Sequence, residues 1–281
     1  MRQLERIRTT LSIFTISSLI FISNPGNIQA ELAKSTLRRV RFVQSSLVSN
    51  AGQTSGRRRG GASRGSCPNV NPERPLTAIV PATLMGETKP GVDPLLTTWQ
   101  SVGGLTTAAN PNFVFYIPKE ISDLPKEFVL QDESGRNIYH SYFATKASMQ
   151  SGFTQIRIPL AFSLETNKIY RWFFLVHCDA DARSEVDGWI QRVPLNPVLN
   201  SQLQKGSRLE QAQVFAANGI WYDALSSLVE MRRANPQARH LFFNWVELLD
   251  SVGLKAIATQ PISQCCQPGV TKSRNKVTHP L

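Results

Sequence analysis

Long apolar runs are missing from this 281-residue chain. The longest predominantly apolar stretch, residues 11–22, has twelve residues and stands near the N-terminus. A bilayer-spanning helix needs about 20, so a polytopic membrane protein is excluded. Cysteine is sparse, with four residues, and glycine and proline, seventeen of each, are scattered without a period. A disulfide-dense miniprotein, a collagen-like chain and a coiled coil are therefore excluded as well. No phosphate-binding P-loop or dinucleotide fingerprint occurs. Hydrophobic residues make up 41% against 18% charged, a balance that supports an ordinary buried core.

The formal net charge of +11 is unevenly spread. Residues 31–75 carry nine basic side chains against Glu31 and Glu73, and the tail adds Lys272, Arg274 and Lys276. Residues 76–266 hold sixteen basic and seventeen acidic groups. Basicity belongs to the termini, so a folded nucleic-acid-binding face is not expected.

Arg2, Arg6 and Arg8 precede the apolar run, Asn24-Pro25-Gly26 breaks it, and Ala30 offers a small residue for cleavage. This order is that of a secretory signal peptide over residues 1–30, with an uncleaved anchor as the alternative. Residues 31–66 read as a flexible basic linker. The string SNAGQTSGRRRGGASRGS at 49–66 has no aromatic or large aliphatic residue with which to offset its ordering entropy. Residues 34–48 are less bare and suggest a frayed amphipathic turn. Arg57, Arg58, Arg59 and Arg64 suit electrostatic contact with a polyanion or an anionic surface. The G-x-S-x-G string at 61–65 has neither the strand before it nor the helix after it that a nucleophile elbow requires, and is set aside.

From Leu76 the texture changes to short runs rich in Phe, Tyr, Val and Ile: residues 76–80, 113–117, 128–131, 138–143, 153–158, 170–178 and 188–193. Turn residues separate them, and Asp132-Glu133-Ser134-Gly135 reads as a hairpin turn. Seven strands predict an immunoglobulin- or fibronectin-like antiparallel β-sandwich over residues 67–195. The segment around Tyr170 resembles the tyrosine corner of such domains, whose hydroxyl bonds back to upstream backbone. Tyr170, Trp172 and Phe174 would face one side and Arg171, Phe173 and Leu175 the other. The second face is too apolar for open water, and a C-terminal helical layer is expected over it.

After Pro197 the apolar period becomes 3.6. Leu209, Ala212, Phe215 and Ala216 share a face, and Trp221, Ala224, Leu225 and Leu228 line the next helix. Asn235 and Pro236 are placed to open a third, carrying Leu241, Trp245, Leu248, Leu249 and Val252, with Gly253 placed to end it. The spacing Ala212, Phe215, Gly219, Ala224, Leu228, Pro236 resembles one tetratricopeptide-type hairpin. One such unit cannot bury its own face, so residues 196–266 should dock on the sandwich as a helical layer. Residues 267–281 read as a flexible tail. The class is β-rich α+β.

Cys67, Cys178, Cys265 and Cys266 in an exported chain imply disulfides. Adjacent cysteines pair only with strain, so the expected bonds join Cys67 and Cys178 to the 265–266 pair. A zinc site built from His177, Cys178 and that pair is the alternative, without the usual ligand spacing. Asp179, Asp181, Glu185 and Asp187 offer oxygens to calcium, yet Arg183 interrupts them and the turn glycine is missing, so a solvated acidic loop is expected. His140, His177, His240 and His279 form no catalytic constellation by spacing, and neither catalytic residues nor cofactors are assigned.

The strings LTAIVP at 76–81, FVFYIP at 113–118, FVLQDESG at 128–135, YRWFFLVHCD at 170–179, GWIQRV at 188–193, ANGIWYDAL at 217–225 and NWVELLDSVGL at 244–254 carry a family resemblance. With the closing Cys265-Cys266, they resemble the domain of unknown function 928. That resemblance implies an exported, largely cyanobacterial protein without an assigned activity, and it supplies no site residues. Two functions follow as expectations. The first is a non-catalytic module of the periplasm, cell envelope or exterior, binding a protein partner or envelope polymer and no specific nucleic acid. The second is an exported hydrolase using His177 and the acidic loop at 179–187.

Overall fold

A computed structural model describes residues 39–45, 55–62, 67, 69–86, 98–143, 151–179 and 182–263. All of them belong to a unit running from Arg38 to Leu281. The expected signal segment 1–30, Asp181, Arg64, Cys265, Cys266 and the tail 267–281 lie outside the described residues.

Among the described residues ten strands come first: β1 Arg57–Ala62, β2 Thr77–Ala78, β3 Ala82–Gly86, β4 Thr98–Thr106, β5 Asn112–Ile117, β6 Lys126–Gln131, β7 Asn137–Phe143, β8 Gly152–Arg157, β9 Ile169–His177 and β10 Arg183–Arg192. Four helices follow: α1 Pro197–Lys205, α2 Arg208–Ala217, α3 Trp221–Ala234 and α4 Arg239–Asp250. The protein is therefore α+β, with strands preceding helices.

The strands form one sheet in the order β7-β6-β9-β10-β1-β2-β5-β8, where two separate sheets were expected. Pairing is antiparallel except that β4 runs parallel to β10. Gly188 marks the branch: residues 184–187 of β10 pair with β1, and residues 189–192 pair with β4. A Cβ at Gly188 would come within 2.5 Å of Trp172 Cζ2 and would strike the Val102 carbonyl. Only glycine lets three strands and an indole meet there.

The sheet curls so that β5 faces β6 and β9, although β10, β1 and β2 intervene in the strand order. Phe115 stacks on Phe174 at 4.3 Å, and Phe113 lies 4.9 Å from Phe128. These rings, with buried Trp172, form the main core.

Residues 57–62 correct the linker expectation, since they form β1 between β10 and β2. The sequence RRRGGA has no large apolar side chain that would place it there. Its partners supply the reason: Arg57 lies opposite Asp187 and bonds two buried carboxylates described below. Residues 39–45, expected as a frayed turn, run without regular secondary structure across the helices, with Val40 fully buried.

The expected alternation in β9 is present. Tyr170, Trp172 and Phe174 are buried, and the Tyr170 hydroxyl accepts the Glu165 N–H at 2.9 Å, closing the corner. The covered face is the correction. The helices pack on the Trp172 side, where Trp172 Nε1–H donates to the Tyr222 hydroxyl of α3. Trp221 Nε1–H donates to the Ile79 carbonyl, and Trp245 of α4 meets Phe153 edge-on at 4.9 Å. The face carrying Arg171, Phe173 and Leu175 has no described helix over it.

Asn235 does not cap α4, which starts at Arg239 after a turn containing Pro236. α2 begins with a capping box in which Ser207 and Glu210 satisfy each other's backbone N–H groups. Asp223, in the first turn of α3, accepts hydrogen bonds from Thr106 Oγ1 and Thr107 Oγ1, both at 2.6 Å, and from the Thr107 N–H. Burial raises this carboxyl above its ordinary range, and the three donors act against that shift. The contact latches the end of β4 to the helical layer.

Candidate functional site

Strand alternation places one set of side chains on the outer face of β7, β6, β9 and β10. Glu127 stands in β6, diagonal to His140 on one neighbour and to His177 on the other. Its Oε1 lies 2.8 Å from His140 Nε2, and its Oε2 lies 3.0 Å from His177 Nε2. A carboxylate oxygen only accepts, so the ring nitrogen facing it in each contact is the donor. Tyr142 is exposed beside His177, with ring centroids 6.4 Å apart. Further along, the Arg171 guanidinium lies over the Phe173 ring at 5.3 Å.

Next to this strip is a compact ion network. Glu185 and Asp187 of β10 are 6% and 5% exposed, so their charges need partners. Arg57 donates from Nη2 to Glu185 Oε1 at 3.1 Å and from Nε to Asp187 Oδ1 at 3.3 Å. Arg171 Nη2 reaches Asp187 Oδ2 at 3.1 Å, and Arg183 Nη2 lies 3.4 Å from Glu185 Oε2.

This arrangement revises the acidic-loop expectation. Glu185 and Asp187 are buried in a strand and held by arginines, whereas Asp179 is exposed and accepts the Ala182 N–H at 2.7 Å. Asp179, Glu185 and Asp187 therefore form no common calcium cage, and the fourth member of that expected set, Asp181, lies outside the described residues. Among the described residues no group of three or more His, Cys, Asp or Glu side chains could hold a metal ion.

Cys67 is bonded to Cys178, with Cα atoms 5.4 Å apart. This replaces the expected pairing of each with the 265–266 pair, since the end of β9 lies beside Cys67. It also removes Cys178 as a zinc ligand or a nucleophile partner for His177. A disulfide belongs to an oxidising environment of the exported kind. No described helix is long and apolar enough to cross a membrane.

The arginine cluster is largely committed to the fold. Arg57 serves the ion network, and Arg58 Nη1 donates to the Val252 carbonyl at 2.6 Å. Burial, with a smaller contribution from the Arg59 charge, lowers the Arg58 pKa. Arg59 pairs with Thr77 through backbone and is exposed. Glu127 and His140 were missed as site residues. Both sit in legible strands, but their meeting depends on a register between strands that spacing does not give.

A comparison with curated proteins finds no match. A comparison with family models matches residues 59–262, from β1 past the end of α4, to the Domain of Unknown Function DUF928. Apart from Arg57 and Arg58 at the start of β1, the strands, the helical layer and the outer face just described fall within that match, and the chain belongs to the DUF928 family.

Proposed function

We propose that this protein is an exported, non-catalytic module of the periplasm or cell envelope that binds a protein partner or an envelope polymer through the outer face of its sheet. One observation carries the reading. Tyr142, His140, His177, Arg171 and Phe173 share a sheet face over which no described helix lies, although the other face of the same strands is fully packed. Exposed Tyr142 and His140 beside half-buried Phe173 and His177 on a sheet surface suit recognition better than chemistry, which needs groups converging in a cleft. The disulfide and residues 1–30 support export. The helical pair α2–α3 is read as tetratricopeptide-like and the Tyr170 corner as immunoglobulin-like. A secondary electrostatic contact with polyanions is assigned to Arg59 and Arg64.

The hydrolase reading takes a different form here. Beside the acidic loop at 179–187, it gains Glu127, whose carboxylate lies 3.0 Å from His177 Nε2 as a carboxylate orients a general base. Partner capture from an envelope fraction by the wild type and by Tyr142→Ser/Phe173→Ser tests the proposal. The double variant should keep its melting temperature and lose the captured species. Hydrolysis of ester or glycoside substrates that disappears in Glu127→Gln would instead establish the enzyme.

A further inference from the structure

Residues 39–45 are bound to the helical layer as a peptide ligand is bound to a receptor. Their burial alternates: Val40 is buried and Phe42 half-buried, while Arg39, Arg41 and Val43 are exposed. The Val40 N–H donates to Asn244 Oδ1 at 3.0 Å, and the Phe42 N–H to Ser251 Oγ at 3.1 Å. The Val43 N–H donates to the Ala216 carbonyl at 3.0 Å. Both receptor side chains are oriented beforehand, because Asn244 Nδ2 donates to the His240 carbonyl and Ser251 Oγ–H to the Leu248 carbonyl. Phe42 meets Trp221 edge-on at 5.2 Å, and Arg39 pairs with Glu247 at 2.7 Å.

The floor of the groove is shaped for a passing backbone. Gly219, with φ of 74°, lies where any Cβ would come within 2.5 Å of Ser45 Cβ and 2.8 Å of its nitrogen. A left-handed glycine after α2 thus also clears room for the segment. The receptor residues Ala216, Gly219, Asn244, Glu247 and Ser251 lie inside the family match at 59–262, whereas the bound segment lies outside it.

We propose that the groove between α2, α3 and α4 is a peptide-recognition site for an extended segment of a partner protein. That segment carries a basic residue followed by apolar side chains at the next position and two beyond. Residues 39–45 are its occupant in cis. Main-chain hydrogen bonds give such a site affinity, and pockets for alternate side chains give it selectivity. A ligand tethered in the same chain competes through its effective concentration, so an incoming peptide must displace it. The inference rests on the binding-module reading but concerns a different surface from the outer sheet face.

The test uses the full chain without its signal segment and a fluorescent peptide of residues 37–45, followed by anisotropy. The Val40→Asp/Phe42→Ala variant should bind the peptide at least tenfold more tightly than the wild type. Adding Asn244→Ala and Ser251→Ala should reverse that gain. A folded variant with no gain, or with equal affinity for a scrambled peptide, would overturn the proposal. Amide exchange in the wild type keeps it testable if the variant does not fold. The Val40, Phe42 and Val43 amides should exchange by a local opening, well before those of Phe113 and Phe174, and exchange only with global unfolding would overturn it. Self-association of the wild type with swapping of the segment between copies would assign the groove to a second copy and also overturn it. None of these failures touches crosslinking from the outer face, which tests the binding-module reading separately.

Discussion

The indole Nε1–H of Trp172 donates to the hydroxyl of Tyr222 at 2.9 Å, and that hydroxyl donates in turn to the Trp189 carbonyl at 3.0 Å. One oxygen therefore ties β9 and β10 to α3 in the buried centre. Burial raises the Tyr222 pKa, so the group stays a neutral donor. Tyr222→Phe keeps the ring and strands both partners. Leaving buried polar groups unpaired costs about 1–3 kcal/mol. Chemical denaturation should show a loss of that size without a change in circular dichroism at 20 °C.

The bond between Cys67 and Cys178 closes a loop across 111 residues of sequence. Cross-links of this kind contribute about 2–4 kcal/mol. Non-reducing peptide mapping should find Cys67 and Cys178 in one peptide pair, and reduction should lower the melting temperature. A map joining either residue to Cys265 or Cys266 would contradict the structure.

Arg57 and Arg59 are neighbours in a basic triplet with opposite roles. Arg57→Ala removes a partner from two buried carboxylates and should cost about 1–3 kcal/mol. Arg59→Ala should leave stability unchanged and weaken retention on heparin at low salt. Equal effects of the two substitutions on stability would mean that β1 is not held by its ion network.

The hairpin between β6 and β7 should be sensitive to acid. Asp132 accepts from Ser134 Oγ at 2.6 Å and from the Ser134 and Arg136 N–H groups, while its second oxygen takes the Arg136 guanidinium at 2.8 Å. The Ser134 hydroxyl bond leads the effects that hold its pKa down to about 2. The sign follows from linkage: a depressed carboxylate contributes stability above its ordinary pKa and loses it as pH falls toward 2. Amide exchange at Ser134 and Arg136 should accelerate between about pH 4 and pH 2, and Asp132→Asn should abolish that dependence.

Much of this fold is legible in the residues themselves. The seven expected strands are present, the first shortened to Thr77–Ala78, because runs rich in Phe, Val, Ile and Tyr suit a pleated, packed surface. Helices α2 to α4 follow from the 3.6 period. β1 was hidden because RRRGGA is held by carboxylates from a strand 130 residues away, which no local pattern records. β4, with Gly103 and Gly104 at its centre, was hidden by glycines that let Trp189 and Trp221 come close. α1 is mostly polar, although Asn196 and Pro197 already carried a start signal. The covered face of β9 was misassigned because Phe173 and Leu175 look as apolar as Trp172 and Phe174. Tyr222 decides between them, by offering its hydroxyl to Trp172.

The candidate site was less legible. His177 stands beside Cys178 and Asp179 in sequence, yet its partner is Glu127, 50 residues earlier. Parity within a strand predicts which face a residue takes, and cross-strand register decides which residues meet.

The most direct test of the binding face is photo-crosslinking from single positions in the mature protein within its native envelope fraction. A photoreactive side chain at position 142, on the outer sheet face, should give a discrete adduct with another macromolecule. The same group at position 198, which is still more exposed at the start of α1, should give none. Adducts of equal yield from both positions, or none from position 142, would contradict recognition through the face that carries Tyr142, His140 and His177.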